Sequence, residues 1–316
     1  MKKIILKTVL TLGAIAALMP IGATAATGDL YVSDNNRIWK FTNGKPTVFA
    51  DLSNPSGSRF YPRIRGLAFD SAGNLYASTL DTSAAFDSNA RILKFASDGT
   101  YTLFASLPSE VASGIAFDQA GNLWVSGGFG SVYKITPNGA VSTFTQIGPV
   151  AADPLNPPAS AVQLFAMAVD SANNPYVAAT GALAIFKITA CGAVFRAFNY
   201  IDFPNGDFIG LTFDNNGNLF ASDAGTGTIL QVATDGTQTK VADLSALDAD
   251  LRGLAFDSKG NLFVVGHGTN ALYEVTTKGA IVVFAANNDN PNISKETIIM
   301  PAPGFNVPQY LTFSPK

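Results

Sequence analysis

The chain has 316 residues, 47% of them hydrophobic and only 14% charged, with a formal net charge of −3. Without a basic field, nucleic acid and anionic membrane surfaces are excluded as partners. Cys191 is the single cysteine, so no intramolecular disulfide can form and a packed core must hold the fold.

In chain order, Lys2 and Lys3 precede an apolar run from Ile4 to Met19 interrupted only by Lys7, and Ala23-Thr24-Ala25 supplies a small-x-small cleavage pattern. Residues 1–25 are therefore expected to be a cleaved signal peptide, making the protein secreted or periplasmic. The run is short and Pro20 stops it, so no membrane attachment is expected after cleavage. Residues 26–316 are expected to form one domain and to be monomeric.

That domain is repetitive. GLAFDSAGNLYAS from Gly66 returns as GIAFDQAGNLWVS from Gly114, AMAVDSANNPYVA from Ala166, GLTFDNNGNLFAS from Gly210 and GLAFDSKGNLFVV from Gly253. The aspartates fall at 70, 118, 170, 214 and 257, giving steps of 48, 52, 44 and 43 residues, the size of a four-stranded propeller blade. Each unit predicts a strand, a Gly-Asn turn, a second strand, a third such as RILKF or SVYKI, another Gly turn, and a fourth strand. Only the copy from Ala166 departs, with Asn173-Asn174-Pro175 in place of Gly-Asn-Leu. The segment GDLYVSDNNRIWKFTNGKPTVFA after residue 27 holds a second, third and fourth strand without a first, and QYLTFSP from Gln309 matches the missing slot. The expected fold is all-β: a six-bladed propeller closed by pairing strand 309–313 with the N-terminal strands, which removes exposed sheet edges.

These units resemble the NHL repeat. The mature chain resembles the six-bladed propellers of the NHL and gluconolactonase-like (senescence marker protein-like) superfamily, whose members include binders, lactonases, lyases and scaffolds. The resemblance implies that the metal-dependent enzymes' central cation would be held by Asn, Asp and Glu at the axial mouth. The residues preceding the six first strands are instead Arg65, Ser113, Phe165, Ile209, Arg252 and Gln309.

The variable connections, including 51–65, 79–90, 146–165, 199–209 and 285–308, all fall on one face, and a site is expected there. Arg65, Arg252 and Gln309 come from neighbouring blades, and two guanidiniums flanking an amide suit a carboxylate, phosphate or acidic sugar. His267, the only histidine, lies on the same face but cannot form a multi-histidine zinc site by itself. The preferred reading is an exported protein that binds a small anionic ligand or an extracytoplasmic protein, with no cofactor expected. The first alternative is a lactonase, esterase or lyase with a calcium or zinc site drawn from Glu110, Asp207 and Asp250. The second is a structural cell-envelope scaffold. Cys191, in TACGAV, takes a place where sister units carry turn residues and is read as a turn filler. The glycines around His267 lack the Lys-Ser/Thr ending of a phosphate loop.

Overall fold

The computed structural model describes residues 28–53, 63–80, 90–109, 111–148, 162–180, 184–199, 207–235, 237–287, 300–302, 305 and 308–315. The expected signal segment and Glu110 lie outside the described residues. Six antiparallel sheets follow one another, and their innermost strands contact each other in cyclic order, so the sheets are blades around a common axis. Blade 1 takes its innermost strand, Pro308–Phe313, from beyond blade 6 and its other three, Leu30–Asp34, Arg37–Thr42 and Lys45–Asp51, from before blade 2. The seam is in antiparallel register, with Leu30 opposite Phe313, Tyr31 opposite Thr312 and Val32 opposite Leu311. The innermost strands of blades 2 to 6 are Arg63–Phe69, Ala112–Phe117, Gln163–Val169, Phe208–Phe213 and Leu251–Phe256. Among the described residues no helix is long and apolar enough to cross a membrane.

The repeated phrase has a physical reason at almost every letter. Asp70 accepts hydrogen bonds from the backbone N–H of Ala72 (3.0 Å) and Asn74 (2.8 Å) and from the Asn74 amide (2.7 Å), clasping the turn. The same Asp–Asn clasp closes the turns at Asp118, Asp170, Asp214 and Asp257. Gly73 supplies the left-handed residue at φ 81°, and the divergent copy from Ala166 places Asn173 there at φ 64°, a conformation asparagine tolerates.

The aromatic letters join blade to blade. Tyr31, Tyr76, Tyr176, Phe220 and Phe263 on the second strands each meet, edge to face, the aromatic ending the next blade's first strand: Phe69, Phe117, Phe213, Phe256 and Phe313, at 4.9–5.3 Å. Such pairs add about 0.5–1.5 kcal/mol beyond their burial. The Phe263–Phe313 pair does this between blade 6 and the closing strand of blade 1.

The leading glycine serves close approach rather than an unusual φ. A Cβ on Gly114 would lie 2.4 Å from the Phe165 carbonyl oxygen, and one on Gly210 would lie 2.2 Å from that of Arg252. At these glycines the neighbouring innermost strands run too close for a side chain. Between them, Ser33, Ser78, Ser126 and Ser222 on the second strands donate to the carbonyls of Arg65, Ser113, Phe165 and Arg252 in the next blade.

One element departs from expectation. Within the presumed connection 285–308, Met300–Pro301 pairs in parallel with Ile281–Ala286 and gives blade 6 a fifth strand. Phe305, also in that segment, is fully buried, with its ring edge-on to Trp39 (6.3 Å) and Phe41 (6.4 Å) of blade 1. A two-residue pairing carries no alternation, which is why it has no signature in sequence.

Candidate functional site

The loop-facing mouth of the axis is built from the residues that precede the glycine layer. Arg252 donates from Nη1 to Gln309 Oε1 (2.6 Å), from Nε to Asp250 Oδ1 (3.0 Å) and from Nη2 to Asp250 Oδ2 (3.2 Å). Asp250 Oδ2 also lies 2.8 Å from His267 Nδ1. Arg252, Gln309, Asp250 and His267 thus form one connected network, of which Gln309 is the buried member. Burial alone would raise the Asp250 carboxyl; hydrogen bonds from His267 and Arg252 overcome it and hold the group at about 2.

The loop bearing His267 rests on a second, buried carboxylate. Asp248 accepts from the backbone N–H of Asp250 (2.9 Å) and Thr269 (2.8 Å) and from the Thr269 hydroxyl (2.5 Å), which in turn contacts Tyr273 OH at 2.7 Å. A Cβ on Gly266 would stand 2.4 Å from Asp248 Oδ2, and one on Gly268 2.7 Å from Oδ1. The glycines flanking His267 therefore make room for Asp248, and Asp248 fixes the loop. Sequence reasoning missed this support, although two glycines bracketing a lone histidine were its visible trace.

Arg65 occupies the same register in blade 2, and its surroundings differ. The residue is half-buried, and its guanidinium has no hydrogen-bonding or ionic side-chain partner among the described residues. Burial pushes it below its ordinary range; Arg252 and Arg63 push the same way, and Tyr310 opposes them. Of the two arginines, it is Arg252 that bonds the Gln309 amide.

Sequence reasoning also missed Tyr310. It occupies the glycine slot of blade 1, where its sisters are Gly66, Gly114, Ala166, Gly210 and Gly253. Its backbone N–H bonds Ser33 Oγ (3.0 Å), just as the N–H groups of Gly66, Gly114 and Gly210 bond their own blades' serines. Five small residues leave space at the axis that one tyrosine fills, and Tyr310 packs in the same apolar cluster as Ala166, Phe208 and Leu211 of blades 4 and 5. Its hydroxyl is buried with no hydrogen-bond partner among the described residues. Burial pushes the phenol up to about 12, against the pull of Arg65 and Arg252, so it remains a neutral donor.

Two cavities adjoin this layer. One of about 490 Å³ follows the axis on the Asp-turn side, lined by the innermost strands from Gly66, Gly114 and Tyr310 outward. The other, about 210 Å³, opens among blades 2, 3 and 4 and is lined by Arg65, Val111, Ser113, Phe129, Leu164 and Phe165.

A central cation would need converging oxygen donors. Among the described residues no group of three or more His, Cys, Asp or Glu could hold a metal ion, and Asp250 is committed to Arg252 and His267. Asp207 is positioned through its backbone, its N–H bonding Asp223 Oδ1 at 2.9 Å. The described donors therefore do not fit a divalent cation.

No protein-family model matches the chain, and no curated protein sequence matches it. Solved structures do. A virginiamycin B lyase from Staphylococcus aureus is 18% identical with a TM-score of 0.55, covering 82% of this chain and 84% of that one. A streptogramin B lyase is 17% identical with a TM-score of 0.58, over 80% and 78%. A protein of unknown function from Bacteroides caccae is 13% identical with a TM-score of 0.62, over 92% and 99%. At these identities the likeness is one of fold, the six-bladed propeller.

Proposed function

We propose that the protein binds a small anionic molecule at the loop-facing axial mouth, with Arg65 as the anchoring cation. The observation that carries this reading is a half-buried guanidinium with no described protein partner, near a buried phenol whose hydroxyl also has none. Cations so placed are ordinarily paired, and unpaired buried polar groups are destabilising, so a ligand that answers both is the economical explanation. Export, expected from residues 1–25, would put that ligand outside the cytoplasm. Acetate and inorganic phosphate titrated into the full chain should shift the resonances of the mouth, with affinity falling as salt rises. Arg65→Ala should weaken binding by roughly ten- to a hundredfold, corresponding to a charged hydrogen bond of about 1.5–3 kcal/mol. Unchanged affinity in that variant would remove Arg65 from the site.

One contact favours a second reading, lyase or hydrolase chemistry. With Asp250 accepting at Nδ1, the tautomer is fixed and His267 Nε2, which has no partner among the described residues, is left as a base. Arg65 could then answer negative charge developing on the substrate. One of the structurally similar proteins is a virginiamycin B lyase whose histidine-to-alanine variant, solved with quinupristin, is catalytically inactive. Quinupristin consumption followed by chromatography tests this directly: turnover should occur and should fall at least about a hundredfold in His267→Ala. Turnover indifferent to that substitution would dismiss His267 as the base.

A further inference from the structure

The 210 Å³ cavity beside Arg65 specifies more than a charge. Arg65 is the cationic member of its lining, and the wall contributed by Val111, Phe129, Leu164 and Phe165 is apolar. A free inorganic anion would satisfy the guanidinium but leave that wall wet.

Phe129 is the unusual member. It is 75% exposed, the most exposed large hydrophobic side chain described, and its backbone sits at φ 54°, ψ 36°. A bulky residue in the left-handed region is an outlier that persists only where its surroundings enforce it. Here they do: the Gly130 carbonyl accepts from Ile147 N–H (2.8 Å), and a Cβ on Gly130 would lie 2.1 Å from the Ile147 oxygen. The turn is pinned, and it holds an aromatic ring at the cavity's edge rather than in the core. An exposed ring, a cleft with apolar walls and an unpaired cation within one lining form a bipartite recognition surface.

We propose that the ligand is an amphipathic carboxylate, its anionic group on Arg65 and its aromatic or branched apolar body lying in the cleft against Phe129 and Phe165. This rests on the anion-binding reading above and narrows it to a ligand class. The cleft holds a body of a few carbon rings at most, which sets the size of the compound.

The test uses three probes on the full chain, titrated by NMR: 4-phenylbutyrate, its neutral amide 4-phenylbutanamide, and acetate. Burying the phenyl group should make 4-phenylbutyrate bind roughly ten- to a hundredfold more tightly than acetate. The amide should bind at least about tenfold more weakly than the acid, since it offers Arg65 no charge. Phe129→Ala, at an exposed position, should shrink the phenylbutyrate-over-acetate ratio by about fivefold. If acetate and 4-phenylbutyrate bind alike and both are lost in Arg65→Gln, the amphipathic inference fails while anion binding survives. If acid and amide bind alike, or none of the three binds, both fail.

Discussion

Arg252 and Arg65 occupy the same register of the same repeat, four blades of sequence apart, yet one is fully committed and the other is not. Two residues before Arg252 stands Asp250, which the buried Asp248 holds in place. Two residues before Arg65 stands Arg63, which adds repulsion instead. A repeat equalises backbone positions; it does not equalise the charges beside them. The blade 6 side of the mouth is therefore bonded within the protein, and the blade 2 side is the one we propose for the ligand.

The largest effect should come from removing the wall both arginines share. Tyr310→Ala is expected to cost about 3–5 kcal/mol in denaturant unfolding, as deletions of large buried rings do, and to open the mouth toward the axial cavity. Tyr310→Phe deletes only an unpartnered hydroxyl and should stay within about 1 kcal/mol of the parent. Equal losses in the two variants would mean that the hydroxyl is satisfied after all.

Next is the contrast between the arginines themselves. Arg252→Ala strands Asp250 and Gln309 and should cost about 2 kcal/mol. Arg65→Met removes an unpaired, partly buried cation and should be neutral or stabilising. If Arg65→Met were the more damaging, the division of the mouth into structural and ligand-facing halves would collapse.

The smallest effect is one of pH. The Asp250 carboxyl is held at about 2 against an ordinary 3.8, so the folded pKa is depressed. Its contribution is complete above about pH 4 and is lost as pH falls toward 2. Acid unfolding curves of Asp250→Asn should accordingly be flatter than the parent's across that interval, and parallel curves would count against the network.

Much of this architecture was legible because its causes are local. Asp70 and Asn74 clasp a turn four residues long, and Tyr76 finds Phe117 at a fixed distance along the repeat, so spacing alone betrays both. The register of Arg65, Arg252 and Gln309 followed from the same spacing. Their partners did not, because Asp250 and Arg63 look alike as solvated loop charges until the chain places them. Tyr310 was legible in principle as the one large residue in a column of glycine and alanine. The Asp248 pedestal and the Met300–Pro301 strand were not, since each depends on contacts between segments with no repeat pattern to align.

The seam has a temporal side. Residues 308–313 follow every other strand in chain order, yet they form the innermost strand of the first blade. During synthesis blade 1 must wait with three strands, its inner edge unpaired, while five complete blades emerge after it. The circle can lock only when those residues have left the ribosome, and until then Tyr310 has not reached the axis. Ring closure therefore waits on this strand, whereas Arg65, Phe129 and Phe165 of blades 2 to 4 are made well before it.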